Sequence, residues 1–482
     1  MGQIIGREEE IELLERLYQS KNAEFIAIYG RRRVGKTYLV TEYFHDKGIF
    51  FEVTGSVTAT TKEQLLRFHH EFCGLFKRTQ QIKPPKNWQQ AFERLTTALS
   101  ELKSHQKIIL FFDELPWLAS PRSKFLSTLD YFWNRHFSRM PNVLLIVIGS
   151  SASWMINEVL NNKGGLYGRL SAHLRLRPFS LTETGRFLEF KGIHLTKKQI
   201  CEIYMVTGGV PKYLSFLQPA SSATQCIQSL CFSPQSPLIG EFHKLLYSLF
   251  KHPESHIEMI KILSENRHGL ERQELLKKAK MERSGHATKV LRELEESDFI
   301  TVLVKHGKQV RSSIYVLTDE YCRFYLHWID PVKSTILRGD ESDYWIKRAN
   351  TPSWLSWAGL AFESLCLKHV RKIKDALKIG GVSTQTGYWK TMTRGGKKES
   401  EIDLVIDRAD QCINLCEIKF CNAPYEVTKS YAKELQMKKE AFRTATKTRK
   451  ALFTTLITPY GAAINSAYTS VIDNQVIIDE LF

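Results

Sequence analysis

The sequence predicts an α/β chain of several domains that opens on a parallel sheet. Two observations carry that expectation. At roughly 150 residues per domain, 482 residues suggest about three domains. Over the first 150 residues, short apolar runs alternate with helical patterns, as parallel strands joined by crossover helices do.

Three of those runs, Glu24–Gly30, Lys107–Glu114 and Asn142–Ser151, are continuously apolar, which suits strands covered on both faces. From about Leu181 to Leu230 the pattern is helical, broken at Thr207-Gly208-Gly209-Val210-Pro211. Three helical stretches follow, at His256–Asn266, Glu271–Lys280 and His286–Phe299. They precede two strands, Ile300–His306 and Ser312–Thr318, the outline of a winged helix-turn-helix. A connector from Pro331 to Pro352 leads to a helix at Trp354–Leu377. Strands at Glu401–Ile406 and Ile413–Phe420 come next, then a helix at Tyr425–Phe442. The expected domains are 1–178, 179–235, 236–335 and 350–482.

Composition narrows the class. Apolar residues make up 43% and charged residues 25%, which excludes a disordered or low-complexity chain. Nowhere do about 18 uncharged apolar residues run together, so no membrane span is expected. The opening residues turn acidic without an apolar signal core, and nine scattered cysteines form no CxxC pair. Both features point to a reducing cytoplasm. The near-cluster Cys412, Cys416 and Cys421 lies in an apolar strand pattern and reads as buried thiols rather than a zinc site. Lys and Arg outnumber Asp and Glu by 68 to 51, a net charge of +17 that favours a polyanionic partner, DNA or else RNA.

Gly30-Arg31-Arg32-Arg33-Val34-Gly35-Lys36-Thr37 matches G-x-x-x-x-G-K-[ST] between a strand and a helix. Backbone N–H groups of such a loop cradle phosphate oxygens, and the helix N-terminus adds positive dipole character. Lys36 is expected on the β- and γ-phosphates, and the Thr37 hydroxyl on Mg²⁺. The three arginine side chains can approach phosphate or face water. Asp113 and Glu114 end the apolar run Ile108–Phe112. There a carboxylate at 113 would hold Mg²⁺ through water and Glu114 would polarise the attacking water. Ser150 and Ser151 end the next strand, either as a γ-phosphate sensor or as an ordinary turn.

Ile4-Ile5-Gly6-Arg7-Glu8, the phosphate loop, Asp113-Glu114, Leu166-Tyr167-Gly168-Arg169 and Gly208-Gly209-Val210-Pro211 occur in an order that resembles archaeal-type ATPases. Those belong to the AAA+/STAND group of P-loop NTPases. The resemblance covers about residues 1–235. It implies a P-loop NTPase core with a helical lid, ATP with Mg²⁺ as cofactors, and possible homo-oligomers. It also implies that Arg7 lies near the adenine and that Pro211 in the lid closes over the base. Arg169 is implied as a sensor or arginine finger; as a residue it can equally be a structural ion-pair partner. Serine stands where the family's sensor strand carries Asn or Thr.

In the middle module, His286, Lys289 and Arg292 on the third helix and Lys305, Lys308 and Arg311 on the hairpin are candidate phosphate contacts. Glu293, Glu295 and Glu296 on the same helix oppose a tight groove fit, and the module can instead pack as a clamp. In the last domain, Glu363 sits on a helix, Asp403 on a strand, and Glu417-Ile418-Lys419 on the next. Alternate strand residues share a face. Asp403 and Glu417 would bind Mg²⁺ or Mn²⁺ as hard oxygen ligands, Glu363 would hold a water or second metal, and Lys419 would steady the nucleophile. The arrangement resembles the PD-(D/E)XK, restriction-endonuclease-like fold. A salt-bridged core without chemistry is the plainer alternative, which makes the chain an ATP-switched regulatory scaffold whose last domain binds nucleic acid or protein without cutting.

Overall fold

Strand β1 (Glu24–Tyr29) is buried along nearly its whole length, as its apolar, β-branched sequence requires. It lies inside a five-stranded sheet with β2 (Ile49–Thr54), β3 (Ile108–Asp113), β4 (Val143–Gly149) and β5 (Ala172–Arg175). The order is β2-β3-β4-β1-β5, and every pairing is parallel. β2 and β5 complete a sheet whose three central strands are the continuous apolar runs of the sequence.

One face of this sheet packs an aromatic core of Phe68, Phe92, Phe112 and Phe125 around Trp88. The other face packs Leu14, Val40 and Phe44 against Ile26, Ile109 and Ile146. Burying each such side chain contributes ~1.5–3 kcal/mol before the entropy of ordering it is subtracted. This double cover makes the carboxyl ends of the strands a fixed platform.

The structure is a computed structural model that describes residues 3–76, 82–102, 106–120, 122–161, 166, 168–266, 268–281, 285–307, 313–392 and 399–482. It divides into two units, one of Met1–Pro178 with Ser248–Lys251, the other of Phe179–Tyr247 with His252–Phe482. The helical stretch expected as a lid of the core therefore groups with the C-terminal modules. Within that second unit, His369 explains part of the grouping. Its ring stacks edge-on against Tyr204, and its Nε2 lies 3.4 Å from the Leu181 N–H at the start of helix Leu181–Phe190. Lys368 also pairs with the buried Glu320 at 2.7 Å.

The middle module has helices Glu254–Glu265, Arg272–Lys278 and Gly285–Glu296. A three-stranded antiparallel sheet of β6 (Leu270–Glu271), β7 (Ile300–Val304) and β8 (Ser313–Leu317) follows the order β6-β8-β7. The connector holds two short helices, Lys333–Arg338 and Tyr344–Arg348. The expected long helix is split at His369 into Pro352–Lys368 and Val370–Ala376.

The last sheet runs β13-β12-β11-β10-β9. Its strands are β9 (Thr384–Met392), β10 (Glu399–Arg408), β11 (Cys412–Ile418), β12 (Ala451–Thr458) and β13 (Asn474–Ile477). β9–β10–β11 are antiparallel, and β11–β12–β13 parallel. Helix Lys429–Thr446 crosses between β11 and β12. All nine cysteines are free; Cys73, Cys412 and Cys421 are half-buried and the other six buried. Among the described residues no helix is long and apolar enough to cross a membrane.

Candidate functional sites

The loop after β1 begins at Gly30, whose φ of 144° and approach to the Leu176 carbonyl leave no place for a Cβ. Gly35, at φ 89°, turns the chain into helix Lys36–Phe44. Lys36 is buried, and its ammonium donates to the Gly30 and Arg31 carbonyls at 3.0 and 2.9 Å. Burial pulls its pKa down to about 8 against the raising effect of the Glu114 and Asp113 charges.

Thr37 donates to Asp113 Oδ2 at 2.8 Å, although 76 residues separate them. The other oxygen, Oδ1, accepts the Glu114 N–H at 2.8 Å. Burial raises the Asp113 carboxyl. Glu114 adopts the left-handed region (φ 49°), and its carboxylate is met by Ser150 at the end of β4. Gly30, Lys36, Thr37, Asp113, Glu114 and Ser150 thus meet at the carboxyl ends of β1, β3 and β4, where ligands bind in open parallel sheets.

Arg7 is buried and donates to the Val34 carbonyl at 3.2 Å and the Arg177 carbonyl at 2.8 Å. It therefore braces the phosphate loop from behind. Arg31 is buried as well, whereas Arg32 is exposed and Arg33 half-buried with a positive φ of 71°. Arg169 has its Nε 3.8 Å from Asp130 Oδ1, the ion-pair alternative read from sequence; Tyr167 beside it lies outside the described residues. Pro211 begins a short helix after Gly208 and Gly209, both at positive φ, and this turn packs against Phe179 and Glu320 within the second unit.

In the middle module, Ala287, Val290, Leu291 and Leu294 face the core, which leaves His286, Lys289 and Arg292 exposed. Glu293 meets His256 at 2.9 Å through Oε2, while its Oε1 lies 3.8 Å from the Lys289 ammonium and so pairs with one of these basic residues. Lys305 is engaged in an isolated bridge with Tyr388 of β9. Lys308 and Arg311 lie outside the described residues.

The C-terminal carboxylates stand on three elements, Glu363 on helix Pro352–Lys368, Asp403 on β10 and Glu417 on β11, with Glu363 and Asp403 lining one cavity. Burial, and then the Asp403 charge, raise Glu363 and Glu417; burial raises Asp403 itself. Burial alone would lower Lys419, yet the charges of Asp403, Glu417 and Glu363 raise it. Asp403 Oδ2 accepts the Ile418 N–H at 2.8 Å.

Two residues of this site carry no signal in the E-x-K pattern. Lys438 and Tyr431, on helix Lys429–Thr446, approach Glu417 Oε2 at 2.7 and 3.4 Å. Lys419 stands farther off, at 4.0 Å. The remaining oxygen, Glu417 Oε1, is buried without a hydrogen-bond partner. The bare buried Glu417 oxygen and the Asp403 carboxylate, whose charge raises both glutamates, are hard oxygen donors of the kind a divalent cation takes. Among the described residues, though, no group of three or more His, Cys, Asp or Glu side chains is drawn together as a metal centre.

Residues 4–217 match a family of ATPase domains found predominantly in Archaea, and residues 325–435 match a family of archaeal and bacterial proteins of unknown function. The chain is 26% identical over 408 residues to the uncharacterized protein MJECL04 of Methanocaldococcus jannaschii, covering 83% of each. A 45-residue segment is 47% identical to the uncharacterized ATP-binding protein MJ0423 of that organism, covering 9% of this chain and 76% of that one.

Among solved structures, the Walker-type ATPase PABY2304 of Pyrococcus abyssi aligns with a TM-score of 0.49 at 19% identity, over 67% of this chain and 96% of that one. The ORC2 protein of Aeropyrum pernix aligns at 0.43 and 12%, over 70% and 95%. With the strand–loop–helix site already in place, the family match identifies residues 4–217 of this chain as an archaeal-type ATPase domain.

Proposed function

We propose that the chain is an AAA+/STAND-type ATPase that binds and hydrolyses ATP, and that its nucleotide state controls a DNA-binding, nuclease-like C-terminal part. The observation that carries the first half is the Thr37–Asp113 hydrogen bond, which joins phosphate loop and acidic strand end in one site. On this reading Lys36 leaves the loop carbonyls for the β- and γ-phosphates, and the loop N–H groups hold the remaining oxygens. Thr37 and Asp113 would hold Mg²⁺, which when bound offsets phosphate charge. Glu114 orients water in line with the γ-phosphate and takes its proton.

For the second half, the helix–sheet order 254–317 has the outline of a winged helix, with His286, Lys289 and Arg292 presented on the outer face of its third helix. The carboxylates of Glu363, Asp403 and Glu417 with Lys419 support a metal-dependent phosphodiesterase. Asp403 and Glu417 would hold Mg²⁺ or Mn²⁺, which supplies Lewis acidity when bound. Lys419 would steady the hydroxide, and Lys438 would fix Glu417. The Lys438–Glu417 pair also favours the scaffold reading, because it occupies a ligand oxygen with a side-chain cation. The deciding assay is cleavage of labelled DNA and RNA by the full chain with Mg²⁺ or Mn²⁺, with and without ATP. Cleavage lost in Asp403→Ala supports the nuclease; no cleavage under any of these conditions leaves the scaffold.

A further inference from the structure

The middle module does not stand clear of the carboxylate cluster. A cavity of about 60 Å³ is walled on one side by Glu363 and Asp403 and on the other by His268, Leu303, Ile314 and Val316. Those four residues belong to the middle module's sheet and to the turn that enters it. That volume would admit a few waters and is far less than the 300 Å³ or more of an ordinary ligand pocket. Ser364, beside Glu363 in the same wall, keeps a buried hydroxyl with no partner.

The module's sheet meets the last sheet along β9 and β10. The His306 N–H donates to the Tyr388 carbonyl at 2.9 Å, and Lys305 bridges Tyr388 in parallel register. The end of β7 thus grips β9, the edge strand of the last sheet. Residue 387 must be small: a Cβ on Gly387 would lie 2.6 Å from the Val304 carbonyl oxygen. The His306 ring packs against Phe442 at 5.2 Å, and His268 pairs with Glu401 at 3.2 Å while remaining 55% exposed. One backbone bond, one bridge, the Phe442 ring contact and two part-exposed ion pairs, His268–Glu401 and His306–Asp407 at 3.9 Å, hold the module on this sheet, each contributing modestly.

We propose that the middle module is a latched cover on the carboxylate cluster, so that a nucleic-acid strand reaches the cluster only after β7 leaves β9. The inference rests on the reading that the cluster acts on nucleic acid, and it names how that site is regulated.

The test uses Gly387→Ala in the full chain as a wedge in the latch, with His268→Gln as a second variant that loses only the ion pair to Glu401. Two readouts are taken: amide hydrogen exchange across β7 and β9, and Mn²⁺-dependent cleavage of a labelled DNA strand. Slow exchange at His306 in the parent, with exchange and cleavage each about tenfold faster in the wedge variant, is the expected result, since one hydrogen bond's worth of latch shifts the open population by about that factor. Fast exchange in the parent, or unchanged cleavage once exchange has risen, overturns the cover.

If none of the proteins cuts, the nuclease reading fails on its own. The cover is then judged by strand affinity, measured with Lys289 and Arg292 replaced in both parent and wedge variant. Tighter binding by the wedge variant keeps the cover, and equal binding overturns it.

Discussion

The Ser150 hydroxyl donates to Glu114 Oε1 at 2.5 Å, and the Ser150 N–H lies 3.4 Å from Oε2, so the end of β4 holds both oxygens of this carboxylate. The serine read from sequence as a possible phosphate sensor therefore addresses the candidate base itself. Glu114→Gln is expected to keep ATP binding and slow hydrolysis by about 10²-fold or more, the loss typical of a missing general base. Ser150→Ala should lower kcat with little change in ATP affinity, because it frees Glu114 without touching the loop. Steady-state turnover beside a nucleotide-binding titration separates these effects; wild-type hydrolysis in Glu114→Gln removes Glu114 from the mechanism.

Lys36 predicts a pH dependence. Its pKa near 8 means that the free site loses this charge as pH rises through that value. Phosphate binding favours the charged form, so the lysine must then take up a proton on binding. ATP affinity should be flat below about pH 8 and weaken by up to about tenfold per unit above it. Lys36→Ala should bind weakly at every pH and lose the slope. Calorimetric titration from pH 6.5 to 9.5 reads both.

The exposed basic face of helix Gly285–Glu296 predicts salt-sensitive DNA binding. Lys289→Ala and Arg292→Ala should each weaken binding regardless of sequence and flatten the salt slope by about one counterion. Fluorescence anisotropy across a salt series decides it. Unchanged affinity in the double variant would make the module a packing element alone.

At the carboxylate cluster, Asp403→Ala or Glu417→Ala should abolish metal-dependent cleavage while ATP hydrolysis survives, because the two sites share no residue. Lys419→Ala should still bind Mn²⁺ but cut poorly. Calcium should bind and support little cleavage, since its loose coordination positions water badly. A gel assay run in parallel with phosphate release covers all of these; cleavage that persists in the Asp403/Glu417 double variant places the activity elsewhere.

How far these sites could be read in advance follows from sequence distance. Gly30 to Thr37 is a local motif whose geometry is dictated by neighbouring residues, and Asp113 ends an apolar run, so both were legible. Lys438 and Tyr431 were not, because nothing in a helical segment 14 to 21 residues after Glu417 says which turn faces the strand. Strand β9, Thr384–Met392, carries Thr, Gln, Gly and Lys among its aromatics, so no apolar run announces it. The split at His369 is a tertiary effect: its ring is held between Tyr204 and the start of helix Leu181–Phe190, residues more than 160 positions away. For the same reason the lid's grouping with the last domain left no trace in the local pattern.

The burial of six of the nine thiols gives the chain a chemical recorder of its own motions. Burial lifts the Cys201, Cys231, Cys366 and Cys416 thiols far above their usual range, so they are both shielded and protonated at neutral pH. An alkylating reagent should therefore mark Cys73, Cys412 and Cys421 in the folded chain and leave the rest untouched. Cys366 lies three residues from Glu363 on the same helix. Mass-resolved labelling of that one thiol, timed against the three accessible ones, would clock local opening around Glu363 without introducing any foreign probe.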